Sequence, residues 1–136
     1  GVNFCSNAPT SVSASGSSIS ATGSTSIAAT NLVLHCSGVA TGEPGLFYYG
    51  PGQVSAVPFG DGFRCVGGPA GTIVRVFPFV QGSAANTLSA SIDNSLPAHS
   101  QFMAATVLNF QAWFRDPAGG PAGFNLSDGL EITFAP

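Results

Sequence analysis

At 136 residues the chain has the length of one domain, and a domain of this size buries roughly two thirds of the surface its unfolded form exposes, enough for one ordinary core. Only 7% of its residues are charged, three arginines and no lysine against six acids for a net charge of −3, while 44% are hydrophobic. That balance excludes a disordered chain, a nucleic-acid binder, since Arg64, Arg75 and Arg115 form no basic stripe, and membrane insertion through a helix, since no apolar run reaches the ~20 residues a bilayer requires.

Gly1 stands where an initiator Met would, and the chain reads as a secreted product after signal removal or as an excised domain. Val2-Asn3-Phe4 suits pairing along an open sheet edge, its own or a neighbour's. The region 1–30 is rich in Ser, Ala and Gly, and its alternations Ile19-Ser20-Ala21 and Ser26-Ile27-Ala28 read as small-residue strands rather than linker. Further strands are predicted over 31–37, 46–49, 53–59, 63–66, 72–80, 87–92, 105–115 and 130–134. Between several of them stand Gly- and Pro-rich turns at 38–45, 60–62, 67–71 and 116–123, where Gly supplies positive φ and Pro holds φ near −65°. No segment carries an apolar stripe at helical spacing between caps, so no substantial helix is expected.

The run 107–115 orients the fold. Alternation sends Leu108, Phe110, Ala112 and Phe114 to one face and Asn109, Gln111, Trp113 and Arg115 to the other. Leu130, Ile132 and Phe134 alternate likewise with Glu131 and Thr133. One dry and one wet face per strand predicts a single all-β domain over 1–136, a two-sheet antiparallel β-sandwich of Ig-like or jelly-roll-like type, with Leu108, Phe110, Phe114, Leu130, Ile132 and Phe134 in its core.

Catalytic chemistry finds little material. The histidines are His35 and His99, and His35 cannot activate the adjacent Cys36 within one strand, because neighbouring residues point to opposite faces. Neither a Gly-x-Ser-x-Gly elbow nor a His-Glu-x-x-His helix occurs. Asp61, Asp116 and Asp128 each adjoin Gly or Pro, where carboxylates commonly cap turns. Asp116, Asn125 and Asp128 are weak calcium candidates without an Asp-x-Asp-x-Asp-Gly loop. Cysteines at 5, 36 and 65 lack the close pairs of a zinc site and suit an oxidising compartment, with one disulfide and one thiol left over. No cofactor is expected. The best binding candidates are aromatic: Trp113, with Asn109, Gln111 and Arg115 on the same strand face as hydrogen-bonding neighbours, and Tyr48 and Tyr49 in a second aromatic run.

Four segments, Gly-Leu-Phe-Tyr-Tyr-Gly at 45–50, Pro-Phe-Gly-Asp-Gly-Phe-Arg-Cys-Val-Gly-Gly at 58–68, Leu-Asn-Phe-Gln-Ala-Trp-Phe-Arg-Asp-Pro at 108–117 and Phe-Asn-Leu-Ser-Asp-Gly-Leu-Glu-Ile-Thr-Phe at 124–134, resemble a family of secreted bacterial domains. That family is abundant in planctomycetes and typically lies at the C-terminal end of large extracellular proteins. The resemblance implies a secreted β module with a disulfide between Cys5 and Cys65 and Cys36 as the extra cysteine. A Cys36–Cys65 bridge between neighbouring strands is the competing assignment and stays open at this point.

These readings converge on a non-catalytic, extracellular or cell-surface structural and interaction module. Its expected partners are further copies of itself or other extracellular proteins, because a surface with so little charge tolerates association. The alternative is a glycan-binding module that takes a polysaccharide through Trp113 and the tyrosines.

Overall fold

The alternation in 107–115 is realised as β9 (Val107–Arg115), the middle strand of a five-stranded antiparallel sheet in the order β1-β10-β9-β4-β7. Its partners are β1 (Val2–Phe4), β4 (Pro44–Gly50), β7 (Val74–Gln81) and β10 (Phe124–Thr133). The computed structural model describes all residues except 95, 97 and 98, and among the described residues the chain forms ten strands and no α-helix. A second sheet of three strands, β2 (Ser18–Thr22), β3 (Val33–Ser37) and β8 (Thr87–Ser91), packs on one face of the first. The remaining strands, β5 (Gly52–Phe59) and β6 (Gly62–Gly67), form a hairpin.

Between the two sheets lies the main core. Phe47 and Tyr49 of β4 sit opposite Ala112 and Phe110 of β9, while Leu130 and Ile132 of β10 sit opposite Phe110 and Leu108. All of these side chains are buried against Ile19, Leu34, Cys36 and Leu88 of the smaller sheet. The six predicted core residues, Leu108, Phe110, Phe114, Leu130, Ile132 and Phe134, are each at most 4% exposed. Gly45 lets the layers close up here, since a β-carbon on it would stand 2.6 Å from Leu88 and 2.7 Å from the Trp113 carbonyl.

The second face of the large sheet departs from the expected wet face. The β5–β6 hairpin lies over part of it, and Leu46, Tyr48, Val66 and Leu126 form a smaller apolar cluster with Phe4 and Trp113 packed against it. Beneath the hairpin, Asn109 and Gln111 are buried. A polar strand face was read as exposed because polarity and exposure usually go together, but a buried amide is tolerated when its hydrogen bonds are satisfied.

A bulge in β10 decides which residues reach that face. Leu126 pairs with Trp113 but Gly129 pairs with Gln111, so one extra residue is inserted at 127–128. The insertion reverses the alternation, sending Leu126 to the hairpin side and Leu130 to the main core, although four residues along an unbroken strand would keep them together. The strand expected over 130–134 therefore begins much earlier, at Phe124.

The small-residue N-terminal region contributes two strands. β1 pairs with β10 of its own sheet, Val2 opposite Glu131, and β2 pairs with β3. The alternation at 26–28 forms only an isolated bridge between Ser26 and Ala135.

Candidate functional site

The residues proposed as calcium ligands hold the N-terminal segment in place. Asp116 accepts hydrogen bonds from the Ser11 amide at 2.9 Å and from the Ser11 hydroxyl. Asn125 donates to the Pro9 carbonyl at 3.0 Å. Asp128, turned by the bulge, accepts from the Ile19 amide at 2.8 Å and from Asn3 Nδ2 at 3.1 Å; partial burial raises its pKa against the opposing pull of these bonds. Asp61 ties the β5–β6 turn to the β9–β10 turn by accepting from the amides of Ala122 and Gly123. Among the described residues no three His, Cys, Asp or Glu side chains converge on a metal-sized space.

Cys5 and Cys65 form the disulfide, their sulfurs 1.95 Å apart across 60 residues of chain. Cys36 is a free, buried thiol, which removes the competing Cys36–Cys65 pairing. Desolvation pushes its pKa from 9.0 up to about 12. A thiol-specific chromogenic reagent at pH 8 is expected to leave the native protein unmodified and to titrate one thiol after denaturation; prompt reaction of the folded protein would place Cys36 outside the core. The unfolded chain releases this proton near its ordinary pKa and the folded chain only near 12, so the raised value stabilises the fold fully below about pH 9. The thermal midpoint is therefore expected to fall as pH rises from 9 to 12. His35, on the outside of the smaller sheet, bridges Thr22 Oγ1 and Ser89 Oγ, each at 2.8 Å, and faces away from Cys36.

The aromatic candidates divide. Tyr49 is fully buried in the main core, its hydroxyl on His99 Nδ1 and its ring 4.9 Å from that of Phe102, so it is removed from the binding candidates. His99 is buried beside it, and desolvation lowers its pKa. Asn109 accepts from Gln53 Nε2 at 3.0 Å. Gln111 joins four segments: Oε1 accepts from the Tyr48 hydroxyl at 2.5 Å and from the Cys65 amide at 2.9 Å, while Nε2 donates to the carbonyls of Ser127 at 2.7 Å and Phe63 at 3.0 Å. The Gln111 amide is engaged at both ends in holding the hairpin down, Asn109 gives its oxygen to Gln53, and neither residue lines the cleft formed over Trp113. Asn7 reinforces the attachment, bonding both the amide and the carbonyl of Phe63.

Trp113, Tyr48 and Arg115 remain, and the structure brings them to one place. Where the hairpin stops covering the large sheet, an open cleft of about 430 Å³ is left. Its floor is the cross-strand row Leu126, Trp113, Leu46 and, two positions along β4 on the same face, Tyr48 beside Arg75. The half-buried Trp113 ring lies 5.7 Å from the ring of Phe124. Arg115 is outside the cleft lining but sets its guanidinium 5.9 Å from the centre of the same indole. One wall is the hairpin, through Phe59, Arg64 and Val66; the other is β7 and the residue before it, through Ile73, Arg75 and Phe79.

The β7 wall owes its shape to an irregularity. Val76 opposes Phe47 and Val80 opposes Gly45, so three residues, 77–79, stand against Leu46 alone. A bulge of this kind re-aims side chains. Phe77 and Phe79 project outward, 62% and 61% exposed, with ring centres 5.5 Å apart.

Sequence reasoning missed Arg64, Arg75, Phe59, Phe79 and Phe124. The available signal was that all three arginines fall within strands rather than turns, where a charge on a covered sheet face needs a reason. Among the described residues none of the three guanidinium groups donates a hydrogen bond within the protein, and no Asp or Glu lines the cleft. No family model, curated protein or solved structure matches this chain, and the cleft is interpreted from its own residues.

Proposed function

We propose that this domain is a non-catalytic extracellular binding module, and that the cleft over Trp113 is where it holds its ligand. The observation that carries the reading is an open, aromatic-walled cavity of about 430 Å³ on a sheet face that the β5–β6 hairpin covers in part. The volume falls within the ~300–1,000 Å³ range usual for small-molecule sites, which are mostly apolar with a few placed polar groups. The disulfide fits an oxidising compartment, in keeping with the resemblance to secreted bacterial domains, and among the described residues no helix is long and apolar enough to cross a membrane.

Trp113 is the only tryptophan, so intrinsic tryptophan emission reports directly on the cleft. Titration with a panel of soluble polysaccharides and small ring compounds is expected to quench or shift that emission with saturation. An emission spectrum indifferent to every member of the panel would remove the reading.

A second reading, self-association through the same surface, is favoured by Phe77 and Phe79 on the edge strand β7. Sedimentation over a wide concentration range separates the two. A monomer whose emission responds to ligand supports the cleft as a ligand site, whereas a concentration-dependent mass abolished by Phe79→Ser supports an interface between copies.

A further inference from the structure

We infer that the cleft selects a singly charged anion carried on a ring: a carboxylate held between Arg64 and Arg75, with the ring body laid against Trp113. The inference rests on the binding-module reading above and adds the class of ligand.

Charge placement is the first argument. The chain carries net −3, yet two of its three arginines line this one cleft and the third sits over the cleft's tryptophan. No acid lines the cleft, and four of the six are engaged elsewhere. Asp61, Asp116 and Asp128 bind backbone amides, and Glu131 accepts from Gln53 Nε2 at 2.9 Å. An acidic protein with few charges thus presents a positive, low-dielectric recess, the arrangement that concentrates an anion.

Geometry is the second. Arg75 stands directly opposite Tyr48 in the β4–β7 ladder, and Arg64 is close enough to act on the Tyr48 phenol electrostatically from the hairpin side. The two guanidinium groups therefore flank one point of the cleft floor from opposite walls. The phenol between them brings no competing negative charge, because burial raises its pKa and keeps it neutral, with its hydroxyl donating to Gln111.

The third argument concerns the rest of the ligand. Asn109 and Gln111, the groups that would have read the hydroxyls of a neutral sugar, are buried beneath the hairpin and do not line the cleft. What faces the cavity besides the arginines is aromatic and aliphatic, which suits the flat face of a ring. A doubly charged phosphate holds its hydration more tightly, which counts against it beside so apolar a lining. A carboxylate matches the guanidinium fork and desolvates more readily.

The same chemistry comes from two sources, a uronate unit of an acidic polysaccharide or a free aromatic carboxylic acid. Trp113 emission of the full chain is followed during titration with polygalacturonate, with the same polymer fully methyl-esterified, and with 4-hydroxybenzoate. Saturable change with polygalacturonate or 4-hydroxybenzoate but not with the ester is the expected result, and whichever acid acts identifies the source. Binding is expected to weaken as salt rises past ~0.15 M, and Arg64→Gln or Arg75→Gln each to weaken it about tenfold, a charged hydrogen bond's share. Both arginines are exposed, so these variants fold, as circular dichroism would show. An equal response to the ester, or indifference to both substitutions and to salt, overturns the anion assignment while leaving a binding module. Silence toward all three ligands overturns the assignment, and silence toward the wider neutral panel as well removes the module with it.

Discussion

Phe110→Ala is expected to lower the stability of the domain by about 3–5 kcal/mol, the range for truncating a fully buried phenylalanine. Phe110 is 0% exposed at the centre of the main core, with ring centres 5.2 Å from Tyr49, 6.1 Å from Phe102 and 6.3 Å from Phe134. Its cross-strand neighbours Tyr49 and Leu130 belong to the flanking strands of the sheet and cannot collapse into the space without disturbing the ladder, so most of the cavity would persist. Chemical denaturation measures the loss. Phe77→Ala is the control, an equally large ring 62% exposed on β7, for which a change within about 0.5 kcal/mol is expected. Similar losses from both substitutions would mean that the alternation assigned to β9 is out of register with the core.

Replacing Cys5 and Cys65 together by Ser is expected to cost about 4 kcal/mol, the chain-entropy value for a closed loop of this length. Reduction of the native protein should shift the denaturation midpoint by a similar amount, and Cys36 is expected to stay buried in the reduced fold, since it packs in the main core away from the bridge. A functional consequence follows from where Cys65 lies. It is in β6, beside Arg64 and Val66 of the cleft wall, so loosening the link to Cys5 weakens the attachment of the hairpin on which that wall depends. The ligand response of Trp113 should therefore decline in the reduced protein before the main core melts. A reduced protein with unchanged stability and unchanged response would show that Gln111 and Asn7 hold the hairpin without help.

How much of this was legible in the sequence depends on which residues are asked. Period-2 alternation named the core face of β9 and the end of β10 because, on a sheet face packed against a second sheet, side-chain direction and hydrophobicity coincide. The glycine- and proline-rich turns marked most strand ends for equally local reasons, and the Cys5–Cys65 bridge came from resemblance and is present in the fold. The candidate site was only partly legible. Trp113 and Tyr48 were found as aromatics on one strand face each, but Tyr49 belongs to the core and Asn109 and Gln111 lie beneath the hairpin.

The sequence by itself determined the strand content, the dry face of the central strands and the scarcity of charge, all properties of single segments. Tertiary structure alone decided the cleft. The extra residue at 127–128 reverses the phase of β10 and carries Phe124 and Leu126 to the hairpin side; the three-residue bulge at 77–79 turns Phe79 outward; and the docking of β5–β6 brings Arg64 to face Arg75 across Tyr48. Each of these, the last being the shared lining of one cleft by Arg64, Arg75 and Tyr48, depends on which residues of distant segments are paired, and a shift of one position in that pairing exchanges the two faces of a strand. Composition and local alternation are blind to such a shift, and so Arg64 and Arg75, which no local pattern linked to Trp113 as it did Arg115, come to line one cleft only once the strands are paired.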